Sequence, residues 1–211
     1  MKKSFIALGC LGAIVAALLV AALIGGGTYN SLVRKSQAVD QSWAQVQNVY
    51  QRRADLVPNL VKTVEGAANF EKSTLSQITE ACASVGQVKL DPNRAPADAT
   101  QLEAYQKAQD QLGSALSRLL VVVERYPDLK ATTNFRDLQA QLEGTENRIA
   151  VERHRFNEAV QTFNTAAKTF PNVILAGMFG FQSKPYFSAT AGAATPPQVE
   201  FDFGKPKTGT K

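Results

Sequence analysis

Residues 133–170 read TNFRDLQAQLEGTENRIAVERHRFNEAVQTFNTAAKTF, and a large apolar residue returns at every seventh position. The seam of this repeat consists of Phe135, Leu142, Ile149, Phe156, Phe163 and Phe170, with Leu138, Thr145, Val160 and Ala167 in a companion row. A strict repeat of seven keeps one helix face towards its neighbours and favours helices that cross at about 20°. The stretch therefore predicts a long helix packed nearly parallel or antiparallel to the neighbouring helices.

Two more long helices are predicted before it. From Tyr29 to about Val85 apolar residues return every three or four positions, which indicates one long helix, and Pro58 predicts a kink in it. Residues 86–99 are rich in Gly, Pro and Asp and predict a loop. The next helix is predicted to begin at Thr100, with Glu103 as its capping-box partner, and to end at residues 126–128.

A short helix and a tail complete the predicted all-α fold of three long helices plus one short helix. Pro171 ends the third helix, and residues 172–179 (NVILAGMF) predict one or two further turns across the bundle end. Gly, Pro, Ala, Ser and Thr dominate the chain from Gln182 onward. We expect Tyr186 and Phe187 to lie against the bundle of residues 28–187, and residues 188–211 to form a flexible, disordered tail.

The N-terminal residues predict a membrane anchor. Phe5 to Ile24 (FIALGCLGAIVAALLVAALI) has no charged or amide side chain, and as a helix it would span about 30 Å, the hydrocarbon thickness of a lipid bilayer. The run is too long for a removed signal peptide, so residues 1–27 are predicted to be an uncleaved single-pass anchor. Lys2 and Lys3 favour a cytoplasmic N-terminus and an extracytoplasmic position for the bulk of the chain, with the reverse topology as the alternative.

Charge argues against nucleic acid as a partner. The net charge of +5 lies mostly at the two ends of the chain, because residues 28–181 contain 17 Lys and Arg against 16 Asp and Glu. The bundle therefore has no basic excess for phosphates to meet. Of the two cysteines, Cys10 lies in the apolar run, so Cys82 has no intrachain disulfide partner.

Catalytic chemistry is not predicted. The chain has one histidine, His154, which lies in a charged run that indicates a solvated helix face rather than a metal site. A Cys82–His154 nucleophile pair is disfavoured because both residues lie within predicted helices with no oxyanion donors nearby. No Gly-rich phosphate loop or GxSxG elbow is present. We expect no enzyme activity, cofactor, metal or small-molecule substrate.

Two polar groups and one tail motif are the candidate interaction sites. Arg52, Arg53, Asp55 and Asn59 surround Pro58, and Asn147, Arg148, Asn157 and Asn164 lie beside the seam. Such groups can fix the packing register, and this interpretation is favoured; the alternative is that the first group is a partner-contact patch. Residues 199–203 (VEFDF) alternate apolar and acidic residues, a pattern that can add as a strand to a partner's sheet.

Several segments together resemble the LemA family of bacterial membrane proteins. They are Tyr29–Val33, Gln51–Val61, Arg125–Ala131, Leu142–Ala150, Phe156–Val160, and Gly180–Phe181 with Tyr186–Phe187. The tail after Phe187, and Phe156 where many members have Tyr, depart from the pattern. The resemblance implies a single-pass anchor, an antiparallel bundle of long helices and no enzymatic activity. It also implies an association with envelope stress, membrane-bound proteolysis or, in a related branch, magnetosome formation.

The functional prediction is a non-catalytic, membrane-anchored scaffold or adaptor of the cell envelope that acts through protein contacts. Its expected partners are the lipid bilayer, through Phe5 to Ile24, and other envelope or membrane proteins; the family resemblance adds a membrane protease to these. The alternative is a structural protein that self-associates along its helices and organises or shapes the membrane.

Overall fold

The computed structural model describes residues 2–66, 71–91 and 94–188, and within these ranges all regular secondary structure is α-helix, as predicted. Side chains of residues 2–11, 13, 14, 17, 18, 21 and 24 lie outside the description. The helices are α1 (Lys2–Glu65), α2 (Lys72–Gln87), α3 (Ala99–Val123), α4 (Pro127–Ala131), α5 (Thr133–Lys168) and α6 (Asn172–Phe179).

The predicted first helix is two helices, which corrects the sequence interpretation. α1 ends at Glu65 rather than near Val85, and α2 begins at Lys72. Both helices bury an apolar stripe, so the spacing of three and four continues on both sides of the break and does not reveal it. α1 runs without interruption from Lys2 through the three glycines at 25–27 and through Pro58. The kink at Pro58 stays a prediction.

The four longer helices alternate in direction. Val57 and Leu60 near the end of α1 share a core with Phe135 and Leu142 near the start of α5, whereas Leu32 packs near Ala167 at the other end of α5. α1 and α5 are therefore antiparallel. α2 and α3 are antiparallel too, because Glu71 forms an ion pair with Arg125 at 3.1 Å and Gln77 accepts a hydrogen bond from Arg118 at 2.8 Å.

The sevenfold seam of α5 forms the centre of the core, as predicted, except at its last member. Phe135, Leu142, Ile149, Phe156 and Phe163 are all at least 95% buried. In the companion row, Thr145 is buried and donates its hydroxyl to the Gln141 carbonyl at 2.7 Å. Phe170 is 75% exposed, so its predicted place in the seam is wrong. The reason is that α5 ends at Lys168, before the repeat reaches Phe170.

Caps refine the predicted boundaries. Asp98, not Thr100, caps α3, because its carboxylate accepts a hydrogen bond from the Thr100 backbone at 2.9 Å. The additional helix α4 begins at Pro127, the proline that was predicted only to end the preceding helix. The bounds of α6 agree with the prediction, and Gly180 ends it in the left-handed conformation at φ 73°.

The chain after α6 crosses the bundle in an extended conformation. Phe187 is buried, as predicted, but Tyr186 is 47% exposed and does not join the core. Residues 189–211, with the predicted disorder and the VEFDF motif, lie outside the description. Among the residues searched, those that the structure describes, no helix is both long and apolar enough to cross a membrane.

Candidate partner-contact site on helix α1

The four polar residues around Pro58 divide between two faces of α1. A helix turns about 100° per residue, so Arg52, Asp55 and Asn59 fall on one side and Arg53 on the opposite side. Arg53 is 2% exposed and faces the bundle, whereas the other three are exposed. Sequence proximity placed them in one patch, but the structure separates them into a buried node and a surface.

The exposed three belong to a longer polar row that we call the outer stripe. Its members follow one another at spacings of four and three residues, and all are exposed: Gln41, Gln45, Asn48, Arg52, Asp55, Asn59 and Lys62. Asp55 accepts a hydrogen bond from the Gln51 side chain at 2.7 Å, a contact within the same helix. The stripe mixes amides with both signs of charge, as the solvent-facing side of an amphipathic helix does.

Arg53 ties three helices together beneath this stripe. Its Nη1 donates to the Glu146 carboxylate of α5 at 2.8 Å, and its Nη2 donates to the Gln109 backbone carbonyl of α3 at 2.9 Å and to the Gln109 side chain. The guanidinium also lies over the Tyr50 ring, 5.2 Å from its centroid. These contacts form only when α1, α3 and α5 are in one register, which is the geometry that a register role requires. The register role itself stays a prediction.

Tyr50 and Arg53 form the floor of an open groove between α3 and α5. The groove encloses about 780 Å³, and Asp110, Glu143 and Arg153 line its sides. The Tyr50 hydroxyl and the Arg53 Nε have no hydrogen-bond partner among the described residues. Burial raises the pKa of Tyr50 to about 12, so the phenol is neutral at physiological pH.

Three side-chain amides form a second polar contact, which holds the extended segment Phe181–Ser188. Asn164 pairs with the backbone N–H and carbonyl of Lys184, both at 2.9 Å, and Asn157 does the same with Phe187 at 2.9 and 3.1 Å. Gln106 of α3 pairs in this way with Ser188. We call this arrangement the amide ladder. Asn157 and Asn164, two of the polar residues noted beside the seam, thus have hydrogen-bond partners in the backbone of this segment.

An aromatic cluster lies under the ladder. Phe187 stacks on Trp43 at 6.1 Å between ring centroids and meets Phe156 edge-on at 5.4 Å. Lys184 forms an ion pair with Asp40 at 2.8 Å, and the Asp40 carboxylate also accepts from the Ala95 backbone at 3.0 Å. Sequence reasoning missed the ladder. The only signal was that amides lie beside the seam, and their partners are backbone groups that no side-chain pattern reveals.

The residues weighed for chemistry are not arranged as a site. His154 is exposed, as predicted, and its nearest acidic partner is Glu158 at 3.7 Å. Burial raises the pKa of the Cys82 thiol, which disfavours the nucleophilic thiolate. Within the part of the chain that the structure describes, no group of three or more His, Cys, Asp or Glu residues could hold a metal ion.

Comparison with known proteins identifies the family of this chain. The profile of the LemA family matches residues 42–201, about three quarters of the sequence. The chain belongs to the LemA family. Arg53 and Glu146, which contact each other, come from two of the separate segments that carry the resemblance to LemA proteins.

Individual relatives cover most of the chain. The magnetosome protein MamQ of Magnetospirillum gryphiswaldense is 28% identical over 189 residues, which is 81% of this chain and 70% of MamQ. The magnetosome protein MamQ 2 of Paramagnetospirillum magneticum is 28% identical over 183 residues, 80% of this chain and 67% of the relative. Protein LemA of Metamycoplasma hominis is 24% identical over 144 residues, 68% of this chain and 61% of that protein.

Proposed function

We propose that this LemA-family protein is a non-catalytic, membrane-anchored scaffold or adaptor of the bacterial envelope. One observation carries the proposal: the apolar run and the outer stripe belong to the same uninterrupted 64-residue helix, α1. Such a helix is about 96 Å long. A protein that binds the stripe is thereby held at a set height above the membrane.

The anchor in this proposal is Phe5 to Ile24. The first part of α1 contains this run, and its side chains Val15, Leu19, Val20 and Leu23 are between 49% and 78% exposed. A helical face of this kind is unfavourable in water and favourable in lipid. Lys2 and Lys3 support a cytoplasmic N-terminus at the inner membrane, with the bundle outside. Protease treatment of intact spheroplasts is expected to degrade the bundle.

A role through protein contacts accounts for the polar residues better than chemistry does. The buried Arg53 and Asn164 and the half-buried Asn157 are bound to neighbouring parts of the same chain. The outer stripe is an exposed polar surface that a partner can reach. The near balance of charge disfavours nucleic acid as that partner. Another envelope or membrane protein fits, and the family resemblance adds a membrane protease.

Charge reversal at Asp55 tests this role. Asp55→Arg is expected to leave the thermal unfolding midpoint unchanged, because Asp55 is exposed, and to abolish cross-linking from a photoreactive side chain placed at Asn59 in intact cells. Asp137→Arg is the matched control, since Asp137 is an exposed acid on α5. Loss of thermal stability in Asp55→Arg, or equal cross-linking in both variants, would contradict the proposed contact.

A second candidate, lateral self-assembly that organises the membrane, is favoured by the relatives named magnetosome proteins. In that case the cross-links from the outer stripe would join two copies of this chain, and the detergent-solubilised protein would become larger with concentration. A single molecular mass over a wide concentration range would exclude self-assembly and leave the adaptor role.

A further inference from the structure

The end of the bundle nearest the apolar run carries a second exposed apolar surface, which we call the α6 patch. Its members and their exposed fractions are Phe170 75%, Val173 44%, Ile174 56%, Met178 73% and Phe179 56%. Soluble surfaces seldom gather large apolar side chains in this way without a covering partner. The patch is built from one short helix and the turn before it.

Helix α6 has no charged residue, and only Ala176 among its eight residues is buried. Packing against the bundle core therefore accounts for Ala176, and the other apolar side chains of α6 need another explanation. A helix that is hydrophobic all round is normally enclosed by protein or by lipid. The bundle encloses one side of α6, and the side with Ile174 and Met178 faces outward.

The position of α6 along α1 identifies what covers it. The Tyr29 ring meets Phe179 of α6 edge-on at 4.9 Å and Phe181 at 5.8 Å. Tyr29 lies five residues after Ile24, the last residue of the apolar run, a rise of about 7.5 Å along the helix. The patch is thus within about one headgroup layer of the level at which the proposed anchor leaves the hydrocarbon.

Charges around the patch suit the same surface. Lys168 ends α5 two residues before Phe170, and Arg34 follows Tyr29 on the next turns of α1; both are exposed. Phospholipid headgroups with net negative charge attract such flanking cations, and Tyr is enriched at the membrane interface. The apolar helix, the aromatic ring and Lys168 therefore lie at the same end of the bundle, and Arg34 lies about 15 Å beyond Ile24 along α1.

We propose that α6 is an interfacial helix that inserts Ile174, Met178 and Phe179 into the bilayer that carries the anchor. The occupant of the patch is anionic phospholipid. This inference rests on the proposed membrane anchor and extends it: the bundle touches the bilayer at two places, α1 and α6, which sets its tilt and stops it from rotating freely about the anchor.

Lipid quenching of a fluorescent label tests the inference in the full chain. An environment-sensitive dye is attached to Met178→Cys in a background with Cys10→Ala and Cys82→Ala, and the protein is reconstituted into phosphatidylcholine–phosphatidylglycerol vesicles that contain a doxyl-labelled lipid. Val121→Cys is the matched control, because Val121 is equally exposed, at 70%, but lies near the far end of α3. A dye at Leu19→Cys reports the anchor itself.

Quenching at position 178 several-fold stronger than at position 121 is the expected result. Quenching at position 19 without quenching at position 178 overturns the interfacial helix and leaves the anchor intact. No quenching at either position overturns both. Protection of position 178 from aqueous iodide without lipid quenching shows that a second copy of the chain covers α6, and this also overturns the inference.

Discussion

The protein binds its inward-facing polar side chains in two different ways. One is the contact of Arg53 with Gln109 and Glu146, which we call the Arg53 node, and the other is the amide ladder. At the node a full charge enters the core and divides its donors between Gln109 and Glu146. At the ladder neutral amides pair with both hydrogen-bonding groups of single residues in an extended segment. The first contact joins helices, and the second holds a strap onto them.

The difference lies in what happens when one partner is lost. An unpaired buried charge keeps its full desolvation cost, so the node depends on every member. A neutral amide costs less, and a released strap can bond to water instead. Asn157 and Asn164 of the ladder contact only backbone groups of the strap, whereas Gln106 also accepts a hydrogen bond from the Ser188 hydroxyl at 3.3 Å. We therefore expect the node to control global stability and the ladder to control local opening.

The largest expected effect tests the node. Arg53→Ala removes a buried guanidinium and is expected to lower the free energy of unfolding by about 3 kcal/mol. This is the low end of the usual range, because Glu146 is 45% exposed and stays hydrated. Urea unfolding followed by circular dichroism measures it. Arg52→Ala, an exposed neighbour, is the control and should change stability by less than about 0.5 kcal/mol.

Loss of the ladder is expected to lower the free energy of unfolding less than loss of the node does, and to speed hydrogen exchange in the strap. Asn157→Ala with Asn164→Ala removes four hydrogen bonds and should cost about 2 kcal/mol. Hydrogen exchange at the amides of Lys184 and Phe187 should become fast. Arg53→Ala should leave these two amides protected under native conditions. Equal exchange of the strap in both variants would remove the distinction between the two contacts.

A third prediction concerns Tyr50, which touches the node without a partner for its hydroxyl. Tyr50→Phe is expected to be neutral or to stabilise by up to about 1 kcal/mol at pH 7. Because the folded-state pKa is about 12 and the ordinary value is 10.0, the unfolded chain loses its proton first as pH rises. The contribution of Tyr50 to stability is thus complete below pH 10 and is lost between pH 10 and 12.

The measurement for Tyr50 is unfolding free energy against pH in both proteins. The fall between pH 10 and 12 should be shallower in Tyr50→Phe than in the parent. Parallel curves for the two proteins would mean that Tyr50 is not desolvated.

An effect of similar size to that at Tyr50 is expected at the two glycines that flank the node. A Cβ at Gly144 of α5 would meet no atom within 4 Å, so Gly144→Ala should stabilise by about 1 kcal/mol through helix propensity alone. At Gly113 of α3 the Cβ would lie 3.5 Å from Arg53 Nη1, an ordinary contact. Gly113→Ala should therefore stabilise by a similar or slightly smaller amount, which thermal melts compare directly.

Much of the fold could be predicted because the residue spacing within α5 is enough to identify a long helix and its buried face. The sevenfold spacing of Phe135 to Phe163 specifies helix type, length and the buried face, and Pro171 with Gly180 specifies α6. The break after Glu65 could not be predicted, since periodicity is the same in two helices as in one. Arg53 and Asp55 looked alike in sequence because a patch defined by proximity along the chain ignores the turn of the helix.

The sequence by itself determined the helical class, the family, the central seam and the apolar N-terminal run, because each depends on the order and spacing of residues within one segment. Only the tertiary structure decided that Arg53 is buried while Arg52 and Asp55 are not, that Asn157 and Asn164 hold the strap, and that α6 exposes Met178 beside Tyr29. Those outcomes depend on contacts between segments far apart in the chain, such as Arg53 with Glu146 and Tyr29 with Phe179, and their free-energy cost or gain exists only once the helices pack.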